Sequence, residues 1–130
     1  IELSDYCNAK CPICTRVIEG RDGLKPAKTV NKNQIRYEDF RKWFPPKFIQ
    51  RRLFKLRFNG QVGESSLCED FHQICDYVQQ SNSNLEYFSL TTNGGTHSPE
   101  WWYRVGTIMK KMRWVNIWIP HILKHPNKQG

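Results

Sequence analysis

The chain has 130 residues, 38% hydrophobic and 25% charged, with a formal net charge of +8. That length holds one domain with a modest core, and the apolar content is too high for a disordered tail. No apolar run nears the roughly 20 residues that a bilayer span requires, and an opening that carries Glu2 and Asp5 lacks the pattern of a secretory leader.

In chain order, "IELSDY" alternates and then turns polar, as a first strand leading into a loop does. The chain begins on it at Ile1 without Met, so a segment of a longer protein or a processed product is expected. Cys7, Cys11 and Cys14 follow within eight residues (cluster loop 7–14), and Thr15 to Ile35 read as a long loop with Gly20, Gly23 and Pro26. "YEDFRKWF" places Tyr37, Phe40 and Phe44 on one helical face, which Pro45–Pro46 stop or break. "RLFKLRFNG" alternates Phe54, Leu56 and Phe58 against Leu53, Lys55 and Arg57, the period of a strand.

Ser66 with Glu69 has the spacing of a capping box, ahead of Leu67, Phe71, Ile74, Cys75 and Val78 at helical intervals. "LEYFSLTTNGG" reads as a strand closing on a glycine turn. Ser98–Pro99 start a helix that carries Trp102, Val105, Met109 and Met112 on one face. "WVNIWIP" is a last strand, and residues 120–130 are a basic tail without pattern. Strands separated by helices predict βαβ units, a parallel sheet and an α/β fold class in one domain over 1–130. In such folds functional residues gather at the carboxyl ends of strands. The cysteines, "NGQVGES" and "TTNGG" all fall there.

Five cysteines with three packed together do not make a disulfide framework, which places the protein in a reducing, cytoplasmic compartment. Three thiolates in one loop can hold an iron–sulfur cluster with one iron left open, or form a zinc knuckle that His72, His97 or another residue completes. Cys68 and Cys75 share a helix face and are expected in the core rather than on a second cluster. His97 reads as a surface loop residue, and the tryptophans 101, 102, 114 and 118 read as core rather than a stacking platform. The basic residues look scattered, with local concentrations at "RRLFKLR" and "KKMR", so nucleic acid is not the first expectation.

"CNAKCPIC" resembles the cluster loop of the radical S-adenosylmethionine (SAM) enzymes. The resemblance implies that Cys7, Cys11 and Cys14 hold a [4Fe–4S] cluster whose fourth iron takes the SAM amino and carboxylate groups. Ile13 stands where the family usually has an aromatic residue against the adenine. "FNGQVGESSL" resembles the glycine-rich segment whose acid meets the SAM ammonium, which assigns Glu64, with Gly60 and Gly63 letting backbone approach the ligand. The family's proline after the acid is replaced by Ser65. "TTNGG" resembles the segment near the SAM ribose and carboxylate, which assigns Thr92, Asn93 and Gly94.

The likeness ends near Trp118, so it implies a partial (β/α) barrel, incomplete at its C-terminal side, that another chain or segment completes. It further implies a 5′-deoxyadenosyl radical that abstracts hydrogen, from a peptide or protein substrate first and RNA second, with electrons from a flavodoxin- or ferredoxin-like donor. The alternative is a non-catalytic zinc or iron–sulfur module, truncated or degenerate, with a structural, partner-binding or nucleic-acid-binding role.

Overall fold

The computed structural model describes residues 1–9, 14, 17–20, 23–26, 32–60, 63–81, 85–95, 97–110 and 115–118, and only the backbone of 17–20, 23–26 and 115–118. Its architecture is α/β, with a small parallel sheet covered by helices.

Strands β1 (Val17–Gly20) and β2 (Gly23–Pro26) pair antiparallel. This hairpin occupies part of the stretch that the sequence assigns to a loop. Helix α1 spans Tyr37–Trp43, with Glu38 and Asp39 in its first turn and Arg41 and Lys42 in its last, complementing the helix dipole at both ends. The two prolines do more than stop it. Pro46 begins a second helix, α2 (Pro46–Arg52), at the first position, where its missing N–H is not needed.

Strand β3 (Lys55–Phe58) buries Leu56 and Phe58 and exposes Lys55 and Arg57. The expected alternation fails at Phe54, which lies before the strand and is 57% exposed. A 3-10 turn at Ser65–Leu67 leads to α3 (Phe71–Ser81), which buries Phe71, Ile74, Cys75 and Val78 at the expected spacing. Strand β4 (Tyr87–Thr91), helix α4 (Pro99–Met109, capped by Ser98) and strand β5 (Val115–Trp118) complete the described order. Met112, Trp114 and the tail lie outside the described residues.

β3, β4 and β5 are parallel and adjacent in chain order. Strand order that advances without reversal, joined by right-handed crossovers, puts every crossover helix on one face. Accordingly α3 and α4 pack against each other, and the Phe58 ring meets Phe71 and Phe88 edge-on at 5.7 and 5.4 Å. The expected first strand is only a tethered segment. Its one bridge is the antiparallel pair Ser4–Gln34, but Ile1 nitrogen donates to Arg57 O (2.8 Å) and Asn59 N–H donates to Ile1 O (3.2 Å). Those two bonds bracket Phe58 as a parallel ladder does, so Ile1 pairs beside β3, while Leu3 turns its N–H to Ser65 Oγ and its C=O to Ile35. No closed barrel forms among the described residues.

Exposed Gly106, inside α4, has nothing within 4 Å of where a Cβ would sit. Alanine loses less conformational freedom than glycine on entering a helix, so Gly106→Ala should raise unfolding free energy by about 0.5–1 kcal/mol. Urea unfolding of the two proteins measures it.

Candidate functional site

The three strand ends named by the sequence meet at one place, and Asn93 joins them. Its backbone N–H donates to Glu64 Oε2 at 2.7 Å. Its side-chain amide donates to Asn8 Oδ1 at 2.8 Å and approaches Cys7 Sγ at 3.6 Å. The turn that aims it is local: Gly94 N–H donates to Thr92 Oγ1, and Gly95 N–H to Asn93 Oδ1. Gly94 has φ 70°, a left-handed conformation that glycine adopts without Cβ strain.

Glu64 is 3% exposed. Its Oε1 accepts from Ser66 N–H (3.2 Å) and Ser66 Oγ–H (2.7 Å), so three donors surround the carboxylate. No Lys or Arg among the described residues lies within ion-pair distance of it. Ser66 is thus a partner of Glu64, and it does not cap Glu69, whose N–H donates to Gln34 Oε1 at 2.9 Å. Glu69 instead pairs with Arg36 (2.7 Å), and Arg36 also holds Asp70 (3.1 Å). Glu69 and Asp70 raise the Arg36 pKa, with the Glu69 hydrogen bond first among the causes.

The two glycines let the chain approach itself closely. A Cβ on Gly63 would sit 1.6 Å from Ser4 O, and one on Gly60 would sit 1.7 Å from Gly63 O. The chain packs on itself there: Glu64 N–H donates to Tyr6 O at 2.7 Å, and Gly63 N–H bonds the Glu2 carboxylate. The glycines thus set the depth at which the segment leading to Cys7 is seated.

Cys7 and Cys14 are half-buried free thiols. Cys11 and Ile13 lie outside the described residues, and no three metal-ligating side chains converge among those described. Cys7 Sγ accepts from Ala9 N–H at 3.4 Å and from the Asn93 amide at 3.6 Å. Such N–H donors tune metal-bound thiolates, so the residues present fit an iron–sulfur ligand.

Comparison with models of protein families, with characterised proteins and with solved structures finds no match. The site therefore has to be read from its own chemistry.

The other candidates sort by burial. Cys68 Sγ donates to Ile35 O at 3.4 Å. Desolvation raises the Cys68 thiol pKa and pushes the Cys75 thiol well up, so both are neutral core residues, as the sequence predicts. His97 is less exposed than expected: its ring stacks on Trp101 at 3.8 Å and its Nε2–H donates to Ser66 O at 2.7 Å. His72 packs on Trp101 at 4.6 Å, and burial first, then Arg104, lowers its pKa. The histidines that a zinc knuckle would recruit are both engaged in this aromatic cluster. Trp101 and Trp102 pack against the core, as expected.

A groove of about 240 Å3 runs between residues 2–5 and 33–35, but neither Cys7, Glu64 nor Asn93 lines it. Sequence reasoning missed Asn8 and read Ser66 only as a helix cap, since no periodicity marks Asn8, whose partner Asn93 is 85 residues away.

Proposed function

We propose that this chain binds a [4Fe–4S] cluster through Cys7, Cys11 and Cys14 and binds SAM beside it. The hydrogen-bonded line from Cys7 through Asn93 to Glu64 carries the reading. It supports a site where one thiolate and one carboxylate stand on either side of a single amide-bearing turn. When bound and reduced, the cluster and SAM supply one-electron cleavage of a carbon–sulfur bond and a carbon radical able to abstract hydrogen. Glu64 would orient the SAM ammonium with a charge-assisted bond. Its lack of a cationic partner among the described residues is consistent with that role.

Thr92 and Gly94 would shape the turn facing the ribose, and Ile13 would lie against the adenine. In this reading the unreversed strand order is the first part of a (β/α) barrel, with a further segment or chain closing it. The setting is a reducing cytoplasm, with a flavodoxin- or ferredoxin-like donor and a peptide or protein substrate.

A second reading, a metal module without catalysis, has one observation in its favour. Glu64 already accepts three bonds inside the protein, as a structural clamp would. One experiment separates the two. Anaerobic reconstitution should load about four irons per chain, and SAM should perturb the cluster spectrum by occupying the open iron. Replacing Cys7, Cys11 or Cys14 with Ala should abolish loading, whereas Cys68→Ala and Cys75→Ala should retain it. Stoichiometric zinc without iron uptake would sink the SAM reading.

A further inference from the structure

The positive charge of this chain is not spread over it. Residues 40–63 hold seven of the twenty Lys and Arg and none of the twelve Asp and Glu, leaving thirteen bases against twelve acids elsewhere. The fold exposes all seven: Arg41, Lys42, Lys47, Arg51, Arg52, Lys55 and Arg57. Among the described residues, no carboxylate lies within ion-pair distance of Lys42, Lys47, Arg51, Arg52 or Lys55. Three aromatic side chains in the same stretch are exposed: Trp43 (55% exposed), Phe48 (42%) and Phe54 (57%).

We propose that the α1–α2 surface, from Arg41 to Arg52 and the exposed Phe54 ring that follows, binds single-stranded nucleic acid. Proteins that hold single strands combine cations tracking the phosphates with aromatic rings on which bases stack. The spacing suits a polyanion rather than a point anion. Lys47 and Arg51 lie one helical turn apart on α2, as do Phe48 and Arg52.

A lipid surface fits less well. The apolar side of α2 turns inward at Ile49, and the exposed rings come from three separate places, so there is no continuous stripe to lie in an interface. An acidic protein fits less well too, because protein interfaces deplete lysine, whereas here Lys42, Lys47 and Lys55 adjoin the three rings. The proposal stands apart from the cluster site and does not depend on it.

The test uses the whole chain and a fluorescein-labelled oligouridylate of about 15 nucleotides, long enough for a single-strand site. With about four phosphates engaged, affinity should fall roughly fiftyfold between roughly 50 and 200 mM salt. Trp43→Ala and Phe54→Ala should each weaken binding about tenfold without changing the salt slope, since stacking releases no counterions. Arg51→Glu should weaken binding at least tenfold and flatten the slope. Arg104→Glu, the same charge change on exposed α4, should cost less than threefold. All four positions are exposed, and circular dichroism confirms that each variant folds.

Equal losses from Arg51→Glu and Arg104→Glu would overturn the proposal, because net charge alone would then explain binding. Aromatic variants that bind like wild type would overturn it in favour of a general anion surface that takes an acidic protein. Binding to phosphatidylserine vesicles, with none to the oligonucleotide, would assign the surface to a membrane instead.

Discussion

Gly63→Ala should unfold the region around the site more effectively than any conservative core change. The added Cβ would sit 1.6 Å from Ser4 O, 2.5 Å from Ser4 C and 2.8 Å from Asp5 Cα. All three are backbone atoms, so no side-chain rotation relieves the overlap, and the first segment must lift from the sheet. Lifting it loosens the Glu64–Tyr6 bond and the seat of Leu3, which is fully buried and donates its N–H to Ser65 Oγ. Lost hydrogen bonds and partial exposure of one leucine together cost about 4 kcal/mol or more, a large share of the roughly 5–15 kcal/mol that holds a domain.

Gly95→Ala is the matched control. Its Cβ meets only the Asn93 side chain, at 3.3 Å, so denaturant unfolding should register a small change. Equal stability for Gly63→Ala and wild type would mean that the segment before Cys7 is not seated as described. In the cluster reading Gly63→Ala should also lower iron loading, because the same segment presents Cys7.

The contrast between those two glycines explains what the sequence could and could not reveal. Periodicity finds elements whose buried residues recur at fixed intervals. It located β3, α3, β4 and α4, where Leu56 and Phe58, or Phe71, Ile74, Cys75 and Val78, face one core. It says nothing about Gly63, whose neighbour Ser4 is far away in sequence and close only in the fold. The β1–β2 hairpin was illegible for another reason. Two four-residue strands in a polar stretch have too few alternations to stand out from a loop.

Ser66 shows a third kind of failure. The spacing to Glu69 satisfies the capping-box pattern, but α3 starts only at Phe71, and the Glu69 N–H donates to Gln34 Oε1 at 2.9 Å, a partner 35 residues away that no local pattern reveals. Likewise the stretch from Arg41 to Arg57 looked diffuse as a string because Ile49, Leu53, Leu56 and Phe58 interrupt it. Folding turns Ile49, Leu56 and Phe58 inward, half-buries Leu53, and leaves the cations exposed.

Glu64 is where structural and functional demands coincide, and replacing it should separate them. Glu64→Ala removes the acceptor of three donors and leaves Ser66 and Asn93 groups buried without it. A hydrogen bond to a charged group contributes roughly 1.5–3 kcal/mol and a buried orphan donor costs about as much, so stability should fall by about 3 kcal/mol or more. Glu64→Gln is milder. Its amide oxygen can keep Asn93 N–H, and its amide nitrogen can donate to Ser66 Oγ, which accepts as readily as it donates. Only Ser66 N–H then faces a donor, and the loss should be about 1–2 kcal/mol.

The Gln variant therefore stays folded with the turn at Asn93 in place, and cluster content should match wild type. If the carboxylate also holds the SAM ammonium, SAM affinity should still fall about ten- to a hundredfold, because the charge has gone while the geometry has not. Calorimetric titration of SAM into the reconstituted variant reads that number directly. Unchanged affinity would confine Glu64 to the clamp and favour the structural module. Loss of iron from Glu64→Gln would mean that Cys7 depends on the carboxylate through Asn93, and the two halves of the site would then have to be counted as one.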